Sequence, residues 1–176
     1  EQTETDRRLA NVLAFGVVEE VDLDAVTARV RVGDLLTGDL NMGFTRAGGD
    51  RDWTPYEAGE QVLIGCPSGD PASGVILCAV NSDAFPATQS SADLRSVDFG
   101  DGAHVSYDRA ASHMTIDLGG GTASLTATGG IAVEGDITLT GKLDATGDVT
   151  ADSVSLINHK HTDVAAGSAL SGKPQK

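Results

Sequence analysis

The stretch from residue 123 onward constrains this chain more than any other, because it repeats every six residues. Written in sixes it reads ASLTAT, GGIAVE, GDITLT, GKLDAT, GDVTAD and SVSLIN. Gly129, Gly135, Gly141 and Gly147 recur at the first position. Leu125, Ile131, Ile137, Leu143 and Val149 hold the third, and Ala127, Val133, Leu139, Ala145 and Ala151 the fifth. Residues two apart point to one face of a strand, so these apolar positions form a single stripe while Thr, Asp and Glu point away. The recurring Gly lets the chain corner without a side-chain clash.

A strip of this kind buries one narrow face and cannot make a core alone, so it must stack on copies of itself. A single-chain β-helix would be a coil too short to hide its ends. A parallel homotrimer closes each edge against a neighbouring chain and fills the shared axis with the Leu/Ile/Val series. The repeat therefore predicts an intertwined homotrimeric β-helix, a β-prism shaft, over residues 122–157.

The last unit loses its Gly and moves the alternation to Val154 and Leu156, with Ile157 beside them. His159 and His161 follow, two residues apart and so on one face if the backbone is extended. Two imidazoles make a poor metal site. Around a threefold axis they become six, which suits octahedral coordination of a first-row divalent metal, with iron, zinc, nickel and cobalt all open on chemistry alone. Asp163 could support the imidazoles from behind. The competing reading is a solvated polar turn that ends the repeat; the position at the end of a trimeric shaft favours the ligand reading.

The rest of the chain divides into an N-terminal arm (1–11), an OB-fold-like domain (12–82), a linker (83–92) and a short-strand neck (93–121), with a tip and fold-back tail after the shaft (158–176). In the OB-like part, Val26, Ala28, Val30 and Val32 of "AVTARVRVGD" alternate with Thr27, Arg29 and Arg31, the pattern of a half-buried strand. "GEQVLIGCP" and "SGVILCAVN" flank a loop dense in turn residues. Cys66 and Cys78 lie in these apolar segments and read as core thiols. Trp53 reads as a barrel plug or a subunit contact rather than a base-stacking platform, because no basic residues interleave with it. Asp98 and Asp101 in "DFGDG" read as turn residues, since the spaced oxygen donors of a calcium loop are missing. His104 and His113 have no evident partners in the sequence.

The net charge of −14 argues against nucleic acid and against a basic membrane-surface helix. No apolar run approaches the roughly 20 residues that span a bilayer.

An OB-like domain, a linker, a hexad shaft, HxH and a Gly/Pro tail in this order resemble the baseplate assembly protein V family of contractile-tailed phages and the related spikes of R-type pyocins. The residues that carry the likeness are "ARVRVGD", "GEQVLIGCPSGD", "GVILCAV", "DFGDGAHVSYD" and "NHKHTDVAAGSALSGKP". The resemblance implies a membrane-piercing central spike of a phage tail or pyocin baseplate, assembled in the bacterial cytoplasm. It implies partners in tail hub proteins, docked through the OB-like domain, and a target in the bacterial outer membrane. It also implies one iron ion per trimer, held by the six nitrogens of His159 and His161; other axial ions have no assignable residues.

Two rivals bear on function. An enzyme would need an open metal position or a nucleophile–base pair, and the chain has neither H-E-x-x-H nor G-x-S-x-G. No catalytic residue and no small-molecule substrate are therefore expected. A trimeric fibre or type VI-like spike used for binding or display would share the architecture and differ only in what the tip does.

Overall fold

The computed structural model describes residues 2–160 and Gly167; His161 and the rest of the tail lie outside the described residues. A helix α1 spans Gln2–Ala10, and eleven strands follow it. Among the described residues the fold is all-β apart from this helix and two short 3-10 turns. Among the described residues no helix is long and apolar enough to cross a membrane.

Six strands form the first sheet: β1 Leu13–Asp22, β2 Thr27–Val32, β3 Leu35–Leu36, β4 Leu40–Met42, β5 Gln61–Gly65 and β6 Val75–Val80. Their order is β1-β5-β6-β4-β2-β3, and β1 also pairs with β2. That extra pairing closes a ring, with β3 left as a hairpin extension of β2. Strand β1 manages both pairings along its length. Leu13 to Val17 face β5, and Val17 to Asp22 face β2 across an irregularity between Val18 and Glu20. The only parallel pair in this sheet joins β4 to β6, through Asn41–Val75 and Met42–Ile76. A closed five-stranded ring of this kind is the OB barrel expected from the sequence.

Its interior is aliphatic. Val18, Ala28, Val30, Leu40, Met42, Val62, Ile64, Cys66 and Ile76 are buried together. Ala28 and Val30 point inward as the alternation requires, while Val26 precedes the strand and closes the Asp22–Val26 turn at φ +57. Gly16 marks a close approach of β1 to β2: a Cβ there would sit 2.4 Å from Val30 Cγ1 and 2.7 Å from the Arg31 carbonyl oxygen. Helix α1 packs on the Pro67–Gly69 turn, where a Cβ on Gly69 would collide with the Arg8 backbone. Of the two cysteines only Cys66 is a core thiol. Cys78 is exposed, because β6 is covered at Ile76 and open from Leu77 to Val80. Exposed Phe15 and Val17 on β1 extend the same uncovered apolar outer surface.

A second sheet follows residues 81–93. Strands β7 Leu94–Asp98, β8 His104–Asp108 and β9 His113–Asp117 pair in sequence order as an antiparallel meander. One of its faces carries Val97, Tyr107, Met114 and Ile116, all exposed, while Ser106 on the other face is buried. The sheet is thus more open on its apolar face than on its polar one. The polar face pins the preceding segment: Thr88 donates to Asp98 Oδ2 at 2.6 Å, and the His104 ring meets Asp98 Oδ1 at 2.6 Å. His104, without a partner in the sequence reading, therefore has one across the strand pair. Thr88, first, and then His104 hold the Asp98 carboxyl below the usual carboxylate range. Asp101 caps its turn, accepting from the Ala103 amide at 3.0 Å, as the turn reading of "DFGDG" expects.

Residues from Leu125 onward form a separate compact unit. Among the described residues no strand lies between Asp117 and Thr150. The backbone hydrogen bonds there close local turns, such as Gly130 N to Ala127 O at 3.0 Å. Gly135 and Gly141 take φ of +127 and +138, which only glycine adopts readily. Every large aliphatic side chain from Leu125 to Ile157 is exposed, Ile137 to 74%. The stripe read from the sequence is present, and among the described residues it is left uncovered.

Candidate functional site

The end of this second unit is a tight hairpin. Strands β10 Thr150–Ala151 and β11 Val154–Ser155 pair antiparallel through Thr150–Ser155 and Ala151–Val154. Asp152 and Ser153 connect them with φ of +43 and +66. Positive φ at both central residues is the primed turn whose twist matches the strands it joins. The Leu156 amide continues the ladder to the Val149 carbonyl at 2.9 Å.

Beyond the hairpin the chain turns back under itself and brings up His159. The Ser155 carbonyl accepts from the His159 backbone amide at 3.1 Å and meets its ring Nδ1 at 3.0 Å. The Leu156 carbonyl lies 3.2 Å from the same ring nitrogen. A carbonyl oxygen only accepts, so Nδ1 is the donor in these contacts. Backbone carbonyls that hold one imidazole N–H in this way fix the tautomer and orientation of metal-binding histidines.

The turn itself rests on Asp148. Its Oδ1 accepts the Ile157 backbone amide at 3.1 Å, with the Ser155 hydroxyl beside the carboxylate. These donors, the Ser155 hydroxyl foremost, hold the Asp148 carboxyl below its usual range. The Ser155 Oγ in turn accepts from the Asn158 amide at 2.8 Å. Asp148 was legible in the sequence only as one polar residue of a hexad, indistinguishable from Asp136 in the equivalent place.

Of the two residues read as metal ligands, His159 has its ring oriented by backbone carbonyls, and His161 lies outside the described residues, as does Asp163. Among the described residues no group of three or more His, Cys, Asp or Glu is placed to hold a metal. The donor chemistry of His159 fits an imidazole-bound metal, provided that further donors come from His161 or from other chains.

The barrel carries a cleft of about 680 Å³ whose lining includes Phe44, Arg51, Trp53, Tyr56, Leu77 and Cys78. Trp53 does not plug the barrel. It is 59% exposed and stacks on Phe44 with ring centroids 5.6 Å apart. The Tyr56 hydroxyl donates to the Gly43 carbonyl at 3.3 Å, and burial pushes its pKa up. The Nε of Arg51 is engaged by the Gly48 carbonyl at 3.0 Å. Nothing in this lining pairs a nucleophile with a base.

Comparison with known proteins adds to this geometry. A family described as the type VI secretion system/phage-baseplate injector OB domain matches residues 14–80, which cover the barrel strands from β1 to β6. The GpV apex motif matches residues 153–175, starting in the turn between β10 and β11. The spike protein of Escherichia phage P2 is 36% identical over 128 residues, 73% of this chain and 60% of that protein. The chain thus spans about 60% of the length of the relative it matches. An injector OB barrel, an apex motif around the His-bearing hairpin and this relative agree, and together they support a gpV-like baseplate spike family for the chain.

Proposed function

We propose that this chain acts as a homotrimeric central spike of a contractile phage tail or pyocin baseplate, piercing the outer membrane of a target bacterium. One observation carries the reading: from Leu125 to Ile157 every large aliphatic side chain is exposed in the single chain. Apolar stripes of this density and regularity are stable only when copies of the strip bury one another. Three parallel chains would satisfy both the stripe and the backbone groups that find no ladder within one chain. The role is mechanical, and no catalytic step is assigned to it. Thrust from a contracting sheath would pass along a shaft whose strand edges are all paired between chains.

His159 and His161 of the three chains would together hold one metal ion, taken to be iron on the family resemblance. The ion would supply a cross-link between three chain ends that otherwise fray, coupling tip folding to metal binding. The orientation of the His159 ring, with Nδ1–H on backbone carbonyls, supports this assignment. Tail hub proteins would dock on the OB barrel, whose exposed Phe15, Val17 and Leu77 offer an uncovered apolar surface. The apex motif at the end of the chain supports a piercing tip over a type VI-like display module.

The test is mass and metal content measured together. Sedimentation should give three times the 18.0 kDa chain mass, and plasma mass spectrometry about one iron per three chains. The double variant His159→Ala/His161→Ala should keep the trimer and lose the iron. A monomer would sink the spike reading, and one metal per chain would sink the shared tip site.

A further inference from the structure

We infer that Asp148 is the positioning residue of the tip metal site, a buckle that fixes the turn which aims His159. The inference rests on the metal reading above and extends it to a residue outside the HxH motif. Asp148 lies 11 positions before His159 in sequence and belongs to the last Gly-containing hexad. Its Oδ1 holds the Ile157 amide at 3.1 Å, so it grips the Leu156–Ile157 peptide. The two carbonyls that hold the His159 Nδ1–H belong to Ser155 and Leu156. The Leu156 carbonyl, one of the two acceptors that orient the ring, therefore belongs to the same peptide unit as the amide that Asp148 holds.

A peptide is planar, so a carboxylate that holds its N–H also fixes the direction of its carbonyl. Remove it and the Ile157 amide loses its 3.1 Å acceptor, the Ser155 hydroxyl its anionic partner, and the turn is left with weaker local bonds. The ring of His159 would then sample orientations in which Nε2 points away from the site. Three chains would lose alignment at once, because symmetry repeats the defect. Residues that orient a metal ligand from behind change metal affinity by about 10- to 100-fold when removed.

The experiment uses the full chain produced with iron, as wild type, Asp148→Ala, Asp148→Asn and Ser155→Ala. Each is challenged with excess EDTA while retained iron is followed by plasma mass spectrometry, and the Mössbauer spectrum of the loaded protein is recorded. Asp148→Ala should hold iron about 10- to 100-fold more weakly, with a changed quadrupole splitting and an unchanged trimer mass. Asp148→Asn keeps one acceptor oxygen for the Ile157 amide and should restore much of the loss. Ser155→Ala should weaken retention in the same direction, and it decides the matter if Asp148→Ala does not assemble. Iron retention and spectra equal to wild type in Asp148→Ala, or in Ser155→Ala where that variant decides, overturn the inference and leave the metal reading intact. Wild type without iron overturns both.

Discussion

Replacing Ile137 by Ser separates a chain that works alone from one that works in threes. In the single chain this side chain is 74% exposed, so a monomer should change in stability by no more than about 0.5 kcal/mol, as at other open surface positions. In a trimer the exposed three quarters would be buried, and full burial of an Ile is worth about 1.5–3 kcal/mol. The substitution then costs about 2 kcal/mol per chain, and the threefold axis multiplies this to about 6 kcal/mol per assembly. At about 1.4 kcal/mol per decade, the trimer association constant falls by about four orders of magnitude. Because three chains meet in one complex, the midpoint concentration moves as the square root, so by about a hundredfold. Sedimentation equilibrium over a dilution series, in enough urea to bring wild type into the dissociating range, reads this shift directly. Identical midpoints for wild type and Ile137→Ser would refute the shared-core account of the hexads, as would a wild type that is monomeric throughout.

Three further expectations concern the barrel and the neck. Gly16→Ala forces a methyl to within 2.7 Å of the Arg31 carbonyl oxygen; it should cost about 1–3 kcal/mol, seen as a lower Tm of the barrel transition in calorimetry. In the native protein Cys78 should react quickly with Ellman's reagent while Cys66, buried and with its pKa pushed up by burial, reacts only on unfolding; two fast thiols would contradict the barrel core. Asp98 is held below its ordinary 3.8 by Thr88 and His104, so its contribution is present above that value and lost as the pH falls through the lower folded value. Urea melts between pH 6 and about 3 should therefore lose more stability for wild type than for Asp98→Asn, and parallel losses would remove Asp98 from the account.

The features legible in the sequence were those set by period. Ala28 and Val30 alternate with Thr27 and Arg29 because one face of β2 meets the barrel interior, and that pattern needs no knowledge of neighbours. The hexads show a period of the same kind, though among the described residues no strand forms between Asp117 and Thr150. What escaped depends on which segment happens to cover a residue. Cys78 lies in an apolar strand like Cys66, yet the strand outruns its cover after Ile76. Trp53, read as a barrel plug or a subunit contact, is no plug: it lies on Phe44 at the surface of the single chain. His104 found Asp98 only because a hairpin sets residues six apart directly opposite one another. At the tip the two histidines were visible as a motif, whereas the oxygen atoms that orient His159 are backbone carbonyls, which no side-chain pattern encodes. The turn at Asp152 and Ser153 lacks the Asn-Gly or Asp-Gly pair that usually announces positive φ at both positions.

The hexads also carry a hidden degeneracy. Sliding one strip past another by a single unit lays Gly135 against Gly141 and Ile137 against Leu143, so the repeat itself barely distinguishes the aligned assembly from a slipped one. The information that removes the ambiguity must lie where the period stops. On one side stands the β7–β9 meander, and on the other the hairpin with its two left-handed residues, Asp152 and Ser153. Assembly that nucleates at either non-repeating end and zippers inward reaches one product, whereas nucleation among the hexads opens several kinetic traps. In the proposed trimer, a hairpin with a single unrepeatable turn would thus serve as the alignment mark for the whole shaft.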